Sequence, residues 1–451
     1  MIGKWFKITA AIFIGSQMMF GSGTLNAQQT RDNVLYVTLE QALDIALNDS
    51  YQLKIADEEI KRVDYLKKEN WYALLPSLNA STGYTYNILK PVFYTEFAPG
   101  GKMTIGFNNS YSVAAQLEVP IYSAALFMNI KISEIDMQIA MESARSSKLD
   151  MIKQVKGAFY GVLMMKESIV VLRESYDNAM ETASNIAEKY RVGVASEYDK
   201  IRADVAARNI LPALTQAEST LQLALMQLKM LLSLEMNLPL DVLGDFENYE
   251  AEIVNYMPGY DYDLSRNSDL LSLDLNLQKM NKSVDLIRSR RLPSVSGSFT
   301  YQLSMQENSF KFETPWSNAA AMGVTIAIPI FNKMAISMKE HQTKSGIRQM
   351  EYQRKLVEDG IMISAQNSIN EMNRAKTQLL SDKEAVKQAQ KGYEIAKVMY
   401  DTGAGTILDV NSSEVALTNS RITMYQTIYN FLNARNEFEK VLGREELGVR
   451  K

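Results

Sequence analysis

The chain of 451 residues contains no cysteine and one histidine, His341. The first absence removes disulfides, thiolate nucleophiles, thiolate metal sites and a lipid anchor on an N-terminal cysteine. The second removes the usual general base near neutral pH and leaves an enzyme only carboxylate or lysine chemistry. His341 reads as an exposed helix residue. The 25 methionines, with no histidine clusters beside them, read as adaptable packing and not as metal ligands. Clustered positive charge is missing too. The net charge is −4, which argues against a nucleic-acid partner, because phosphate binding needs grouped Lys and Arg. No Gly-x-x-x-x-Gly-Lys-Ser/Thr loop occurs, so a nucleotide-driven step of that kind is not encoded. No cofactor is expected.

What is present begins with Lys4 and Lys7, followed by an apolar run of 13 residues from Ile8 to Phe20 and then by small and polar residues ending Leu25-Asn26-Ala27. The run is too short to span a bilayer and has the length of a signal-peptide core. Cleavage after Ala27 is expected, which shifts the net charge from −4 to −6. An exported chain without a retained apolar helix is either soluble outside the inner membrane or inserted as a β-barrel.

The ten prolines are unevenly spread: none lies between Pro120 and Pro212, and none follows Pro329. Proline breaks helix interiors, and both proline-free stretches are rich in Ala, Leu, Met, Lys, Glu and Gln, which favour helix. The pattern predicts long helices over 124–190 and 333–401, each about 100 Å in length. Each ends at a glycine turn, Gly193 and Gly403-Ala404-Gly405, and a further helix follows, 197–235 and 407–441. Glycine past a helix end supplies a left-handed cap, and Ser196 and Thr406 stand where N-caps are wanted. Pro212, inside the second helix, predicts a kink or a break.

The two hairpins align with each other. Gly193, Ser196 and Asp199 match Gly403, Thr406 and Asp409 at an offset of 210 residues. Upstream, Pro120 matches Pro329 at an offset of 209, and Pro76 matches Pro293 at 217. The expected organisation is a signal peptide (1–27), a first repeat (28–236), an inter-repeat segment (237–262), a second repeat (263–441) and a tail (442–451). Between the paired prolines the period falls to two. Leu78-x-Ala80-x-Thr82-x-Tyr84, Tyr111-x-Val113-x-Ala115-x-Leu117, Val295-x-Gly297-x-Phe299-x-Tyr301 and Met322-x-Val324-x-Ile326 read as strands of about nine residues, the pattern of membrane barrel strands. Four strands cannot close a barrel alone, and open edges are forbidden in lipid. Insertion therefore demands several protomers, and three would supply twelve strands.

In this order of features the chain resembles the TolC family of outer-membrane efflux proteins. The resemblance runs from the helix start Thr38-Leu39-Glu40-Gln41-Ala42-Leu43, through Leu74-Leu75-Pro76-Ser77-Leu78 and Val119-Pro120-Ile121-Tyr122, to the two Gly-x-x-Ser/Thr-x-x-Asp turns, and covers about 36–441. It implies a mainly α fold with a membrane β part: a homotrimer in outer-membrane lipid, twelve strands in one barrel, and duplicated helical hairpins forming an α-barrel across the periplasm. Residues 237–262 and the chain ends would band its waist. The far tip would meet a periplasmic adaptor, and an inner-membrane pump would supply energy, so the chain would be a passive exit duct for efflux or type I secretion and not an enzyme.

The resemblance also implies site residues. Asp409 matches a position where relatives place carboxylates that narrow the tunnel mouth, and Asp199 is its counterpart in the first hairpin. Relatives often carry a second acid three residues on, which is Ser412 here, and some carry an arginine where Gly405 stands. Gly193, Ser196, Gly403 and Thr406 would face the adaptor as well as shape the turns. Pro120 and Pro329 would mark the strand-to-helix crossover. Two other readings compete. A surface coiled-coil rod or adhesin with a barrel anchor predicts one sustained heptad seam. A periplasmic Asp/Glu enzyme predicts a compact domain with carboxylates converging in a pocket.

Overall fold

The computed structural model describes residues 30–31, 34–97, 99–256, 263–310 and 313–444. The expected signal segment, residues 257–262 of the inter-repeat segment and 445–451 of the tail lie outside the described residues. In chain order the elements are β1 (Thr30–Arg31), β2 (Val34–Val37), α1 (Leu39–Asp49), α2 (Tyr51–Tyr72), β3 (Ser77–Tyr86), β4 (Val92–Tyr94), β5 (Lys102–Thr104), β6 (Asn109–Tyr122), α3 (Ala124–Arg191) and α4 (Glu197–Leu231). There follow β7 (Leu240–Val242), α5 (Glu247–Asn255), α6 (Ser268–Ser289), β8 (Ser294–Glu307), β9 (Ser317–Ala327), α7 (Ala335–Asp401) and α8 (Ile407–Val441). The fold is mostly helical. Among the described residues, no helix is long and apolar enough to cross a membrane.

The proline-free stretches become α3, with 68 residues, and α7, with 67. Each pairs with a helix of 35 residues returning from the turn, α4 on α3 and α8 on α7, and α3 also packs on α8. Pro212 does not break α4, which runs through it as one helix. Pro212 lies exposed, while Ala207 and Leu214, just before and after it, are buried and hold the helix in place.

The shorter helices meet end to end. At the close of α4 the Ser233 hydroxyl accepts from the Tyr51 amide at 3.0 Å, where α2 begins. At the close of α8 the Asn267 amide group donates to the Val441 carbonyl at 2.8 Å. The oxygen of the same side chain caps α6 by accepting from the Asp269 and Leu270 amides. Thus α2 and α4 both flank α3, and α6 and α8 both flank α7. The helix that starts after Thr38 is interrupted at buried Ser50, where the backbone turns extended (φ −57°, ψ 129°) between α1 and α2. Its start is as read, with Thr38 and Gln41 forming a reciprocal capping box.

Strands β3, β6, β8 and β9 form one antiparallel sheet in that order. They run to 10, 14, 14 and 11 residues, longer than the nine expected. The register joins Leu78 to Leu117, Phe299 and Met322, and the next matching row joins Ala80 to Ala115, Tyr301 and Ala320. Between them lies the row Asn79, Gln116, Thr300 and Ala321. Directly paired residues share a face, so the period-two pattern of all four strands sums to one apolar and one polar face. Pro120 sits inside β6, opposite Ser296 and beside a register shift, four residues before α3 begins at Ala124. A bulge is where a strand tolerates a residue without an amide donor. Pro329 lies between β9 and α7. Two small sheets have no forerunner in the sequence reading: β4 with β5, and β1-β2-β7, in which β2 and β7 run parallel.

The main core lies where the helix ends meet. Leu43, Phe159, Tyr160, Leu163, Phe246 and Phe431 are buried there, joining α1, α3, α5 and α8. A second, smaller core lies near the two glycine turns.

Candidate functional site

The turns after α3 and α7 use one local device. Gly193 and Gly403 have φ of +79° and +77°, a region that only glycine enters cheaply. Ser196 Oγ accepts from the Asp199 amide at 3.1 Å, and Thr406 Oγ1 accepts from the Asp409 amide at 3.3 Å. Each aspartate answers its cap: the Ser196 hydroxyl donates to Asp199 Oδ2 at 2.7 Å, and the Thr406 hydroxyl donates to Asp409 Oδ2 at 2.6 Å. Asp409 also accepts from the Thr406 amide at 2.9 Å, completing a capping box. The Thr406 hydroxyl and amide hold the Asp409 carboxyl below its ordinary 3.8.

The fold sets the two tips side by side. Lys189 of α3 reaches Asp401 of α7 at 3.1 Å and lies over the Tyr400 ring at 4.8 Å. Burial first, then Asp199 and Asp401, push the Tyr400 hydroxyl up. Asp199 of the first hairpin is therefore felt by the second, whereas the contacts of Asp409 stay within its own cap. Gly193, Ser196, Gly403, Thr406 and Asp409 are all exposed. Pro120 and Pro329 stand apart from them, at the opposite ends of α3 and α7.

Behind the tips, Ile186 of α3, Ala203 of α4, Tyr393 and Ala396 of α7, and Ile407, Val410 and Leu417 of α8 form the smaller core. One carboxyl lies within that seam. Glu414 is 5% exposed, and its Oε1 has no partner among the described residues. Burial pushes it up to about 7, while a hydrogen bond with Ser175 and the charge of Lys397 pull the other way. The sequence reading missed Glu414. The available signal was its place in the helical series Ile407, Val410, Glu414, Leu417.

At the level of the main core an ion-pair group ties α5 to α3 and α8. Arg435, 6% exposed, pairs with Glu252 of α5 and approaches Glu439 at 3.6 Å. Lys156, also buried, reaches Glu439 at 2.8 Å. On α3, Gly157 and Gly161 face α8, where a Cβ would stand in ordinary contact with Asn433 Oδ1 at 3.4 Å and the Tyr429 ring at 3.8 Å, so the approach of α8 does not require glycine there.

No group of three or more metal-binding side chains occurs among the described residues. The described residues combine long helical hairpins, an open sheet with one apolar face and two neighbouring tips that each carry an aspartate.

A family model for outer membrane efflux proteins matches residues 42–233 and 260–444. Over 426 residues the chain is 21% identical to the pyoverdine export outer membrane protein OpmQ of Pseudomonas aeruginosa, spanning 90% of this chain and 85% of OpmQ. Its fold is similar to the CmeC outer membrane channel of Campylobacter jejuni, with a TM-score of 0.72 at 18% identity over 90% of this chain and 85% of CmeC. It is also similar to the outer membrane protein VceC of Vibrio cholerae, with a TM-score of 0.70 at 14% identity over 90% and 96% of the two chains.

Proposed function

The chain belongs to the outer membrane efflux protein family, and from that membership we propose that it is one protomer of a homotrimeric channel-tunnel, the passive exit duct of a tripartite efflux pump or type I secretion system. The observation that carries this reading is the open sheet. Its edge strands β3 and β9 are exposed along their whole length and, among the described residues, lack a neighbour on one side. An edge of that length with an apolar face cannot rest in lipid, where each unpaired amide and carbonyl is costly. Pairing β9 of one copy with β3 of the next removes both edges, and three copies close twelve strands. Strands of 10–14 residues are long enough for the apolar band of such barrels, about 25 Å tall. The face with Leu78, Leu117, Phe299 and Met322 meets lipid, and the face with Asn79, Gln116 and Thr300 lines the duct.

The helices continue the wall into the periplasm as two copies of one hairpin unit, with β2, β7 and α5 banding the waist. The tips form the mouth. Three Asp409 carboxylates around the axis give an acidic ring that attracts cations, with Asp199 beside it. Gly193, Ser196, Gly403 and Thr406 present the surface for a periplasmic adaptor, which opens the mouth when an inner-membrane pump delivers cargo. OpmQ is named for pyoverdine export, which favours a small-molecule cargo. Two measurements test the proposal: mass in mild detergent and single-channel conductance in a planar bilayer. A particle of three chains that conducts is expected. A soluble monomer, or an assembly that does not conduct, overturns it.

A further inference from the structure

Where the sheet gives way to helices the charge balance of the chain reverses. Residues 282–293 and 328–344 hold seven Lys and Arg against two Asp and Glu, in a chain of net charge −4. Glu340 takes up three of those cations: Arg288 at 2.9 Å, Arg291 at 3.0 Å and Lys344 at 2.9 Å. Arg290, Lys333 and Lys339 make no ion pair among the described residues. Arg290 lines a cleft of about 420 Å³ together with Ser123, Leu292, Ser294, Ile328 and Pro329, and no acidic side chain lines it.

The apolar side of this junction is equally marked. Ile328, Ile330, Phe331 and Met334 follow β9 in close succession, with Ile330 94% and Phe331 80% exposed. They stand on a strained turn, since Lys333 and Met334 both have positive φ, +44° and +62°, where residues other than glycine are disfavoured. The turn displays two bare apolar side chains beside a free lysine, an arrangement that water alone does not favour.

We propose that this junction is a binding site for phospholipids with an anionic headgroup. The phosphate lies in the cleft against Arg290, Lys333 and Lys339 on the segment that follows Pro329 add positive charge to the junction, and the acyl chains run along Ile328, Ile330 and Phe331 toward the apolar face of the sheet. Lipid is the occupant because cationic and apolar features adjoin at the boundary between membrane sheet and periplasmic helices. A basic collar next to a membrane segment draws anionic headgroups, and a free phosphate would leave the isoleucines and the phenylalanine unexplained. This inference rests on the orientation given under Proposed function.

The test uses the full assembly in mild detergent, with equal amounts of phosphatidylglycerol and phosphatidylcholine added, and counts the lipids retained by native mass spectrometry. Wild type is expected to retain phosphatidylglycerol at least about fivefold over phosphatidylcholine. The combined variant Arg290→Gln, Lys333→Gln, Lys339→Gln should lose that preference while keeping three chains and its conductance. The variant Arg290→Lys, Lys333→Arg, Lys339→Arg should restore it. No preference in wild type, or a preference unchanged in the Gln variant, overturns the proposal. So does displacement of the lipid by millimolar inorganic phosphate, which marks a simple anion site. Loss of the three-chain particle in the Gln variant and in the restoring variant alike assigns the cleft to a neighbouring copy and also overturns it. Failure of wild type to form a conducting trimer refutes the functional reading itself, and a different measurement reports that.

Discussion

Replacing Glu414 by Gln probes the carboxyl that the tip bundle encloses. Glu414 shares its helical face with Ile407, Val410 and Leu417, all buried against α3, α4 and α7. The groups it senses are Ser175 of α3 and Lys397 of α7. Tyr393 of α7, itself pushed up to about 12 by burial and then by Glu414 and Glu181, closes the same pocket. Burial moves the Glu414 carboxyl from 4.5 to about 7, which corresponds to about 3 kcal/mol in favour of the neutral acid in the folded tip. Between those two values the folded tip binds more protons than the unfolded chain. Its stability therefore falls as pH climbs: the contribution is complete below 4.5 and lost by about 7. Gln keeps the shape and cannot titrate. Hydrogen–deuterium exchange over 183–203 and 389–417, corrected for intrinsic rates, reads the opening of this segment alone. From about pH 5 to about pH 8, wild-type protection should fall by about two orders of magnitude. Protection in Glu414→Gln should stay level and exceed wild type at the higher pH. Equal losses of protection in the two proteins would refute the reasoning, because a group other than Glu414 would then be titrating.

Three further outcomes follow from the geometry. Glu439→Gln removes an acid that both buried Lys156 and buried Arg435 approach and should cost about 3–5 kcal/mol, seen as a lower midpoint in thermal unfolding followed by circular dichroism. Gly443→Ala should destabilise by more than about 1 kcal/mol, because φ is +64° and the new Cβ would lie 2.0 Å from the Arg266 carbonyl oxygen; an unchanged midpoint would show that the α8–α6 joint gives way. Asp409→Ala should raise conductance or weaken blockade by trivalent cations. Because Thr406 holds the Asp409 carboxyl below 3.8, wild-type blockade should persist at about pH 5; identical behaviour of the two proteins on every count removes Asp409 from the mouth.

The sequence by itself determined what depends on near neighbours along the chain. The extents of α3 and α7 follow from where proline is absent, and the caps at Thr38, Ser196 and Thr406 from contacts three residues apart. The left-handed turns at Gly193 and Gly403, and the alternation that gives the sheet its two faces, are legible for the same reason. Tertiary structure alone decided the rest. The break between α1 and α2 falls where the Tyr51 amide meets the Ser233 hydroxyl at the end of α4, 182 residues on. The pairing of β2 with β7 and the caging of Glu340 by Arg288 and Arg291 join segments that no local pattern links. Glu414 looks like any helix glutamate until α3 and α7 close over it and remove its water. Backbone dihedrals and caps are set within a turn or two of chain, whereas burial, ion pairing and a displaced pKa exist only once distant segments exclude solvent together.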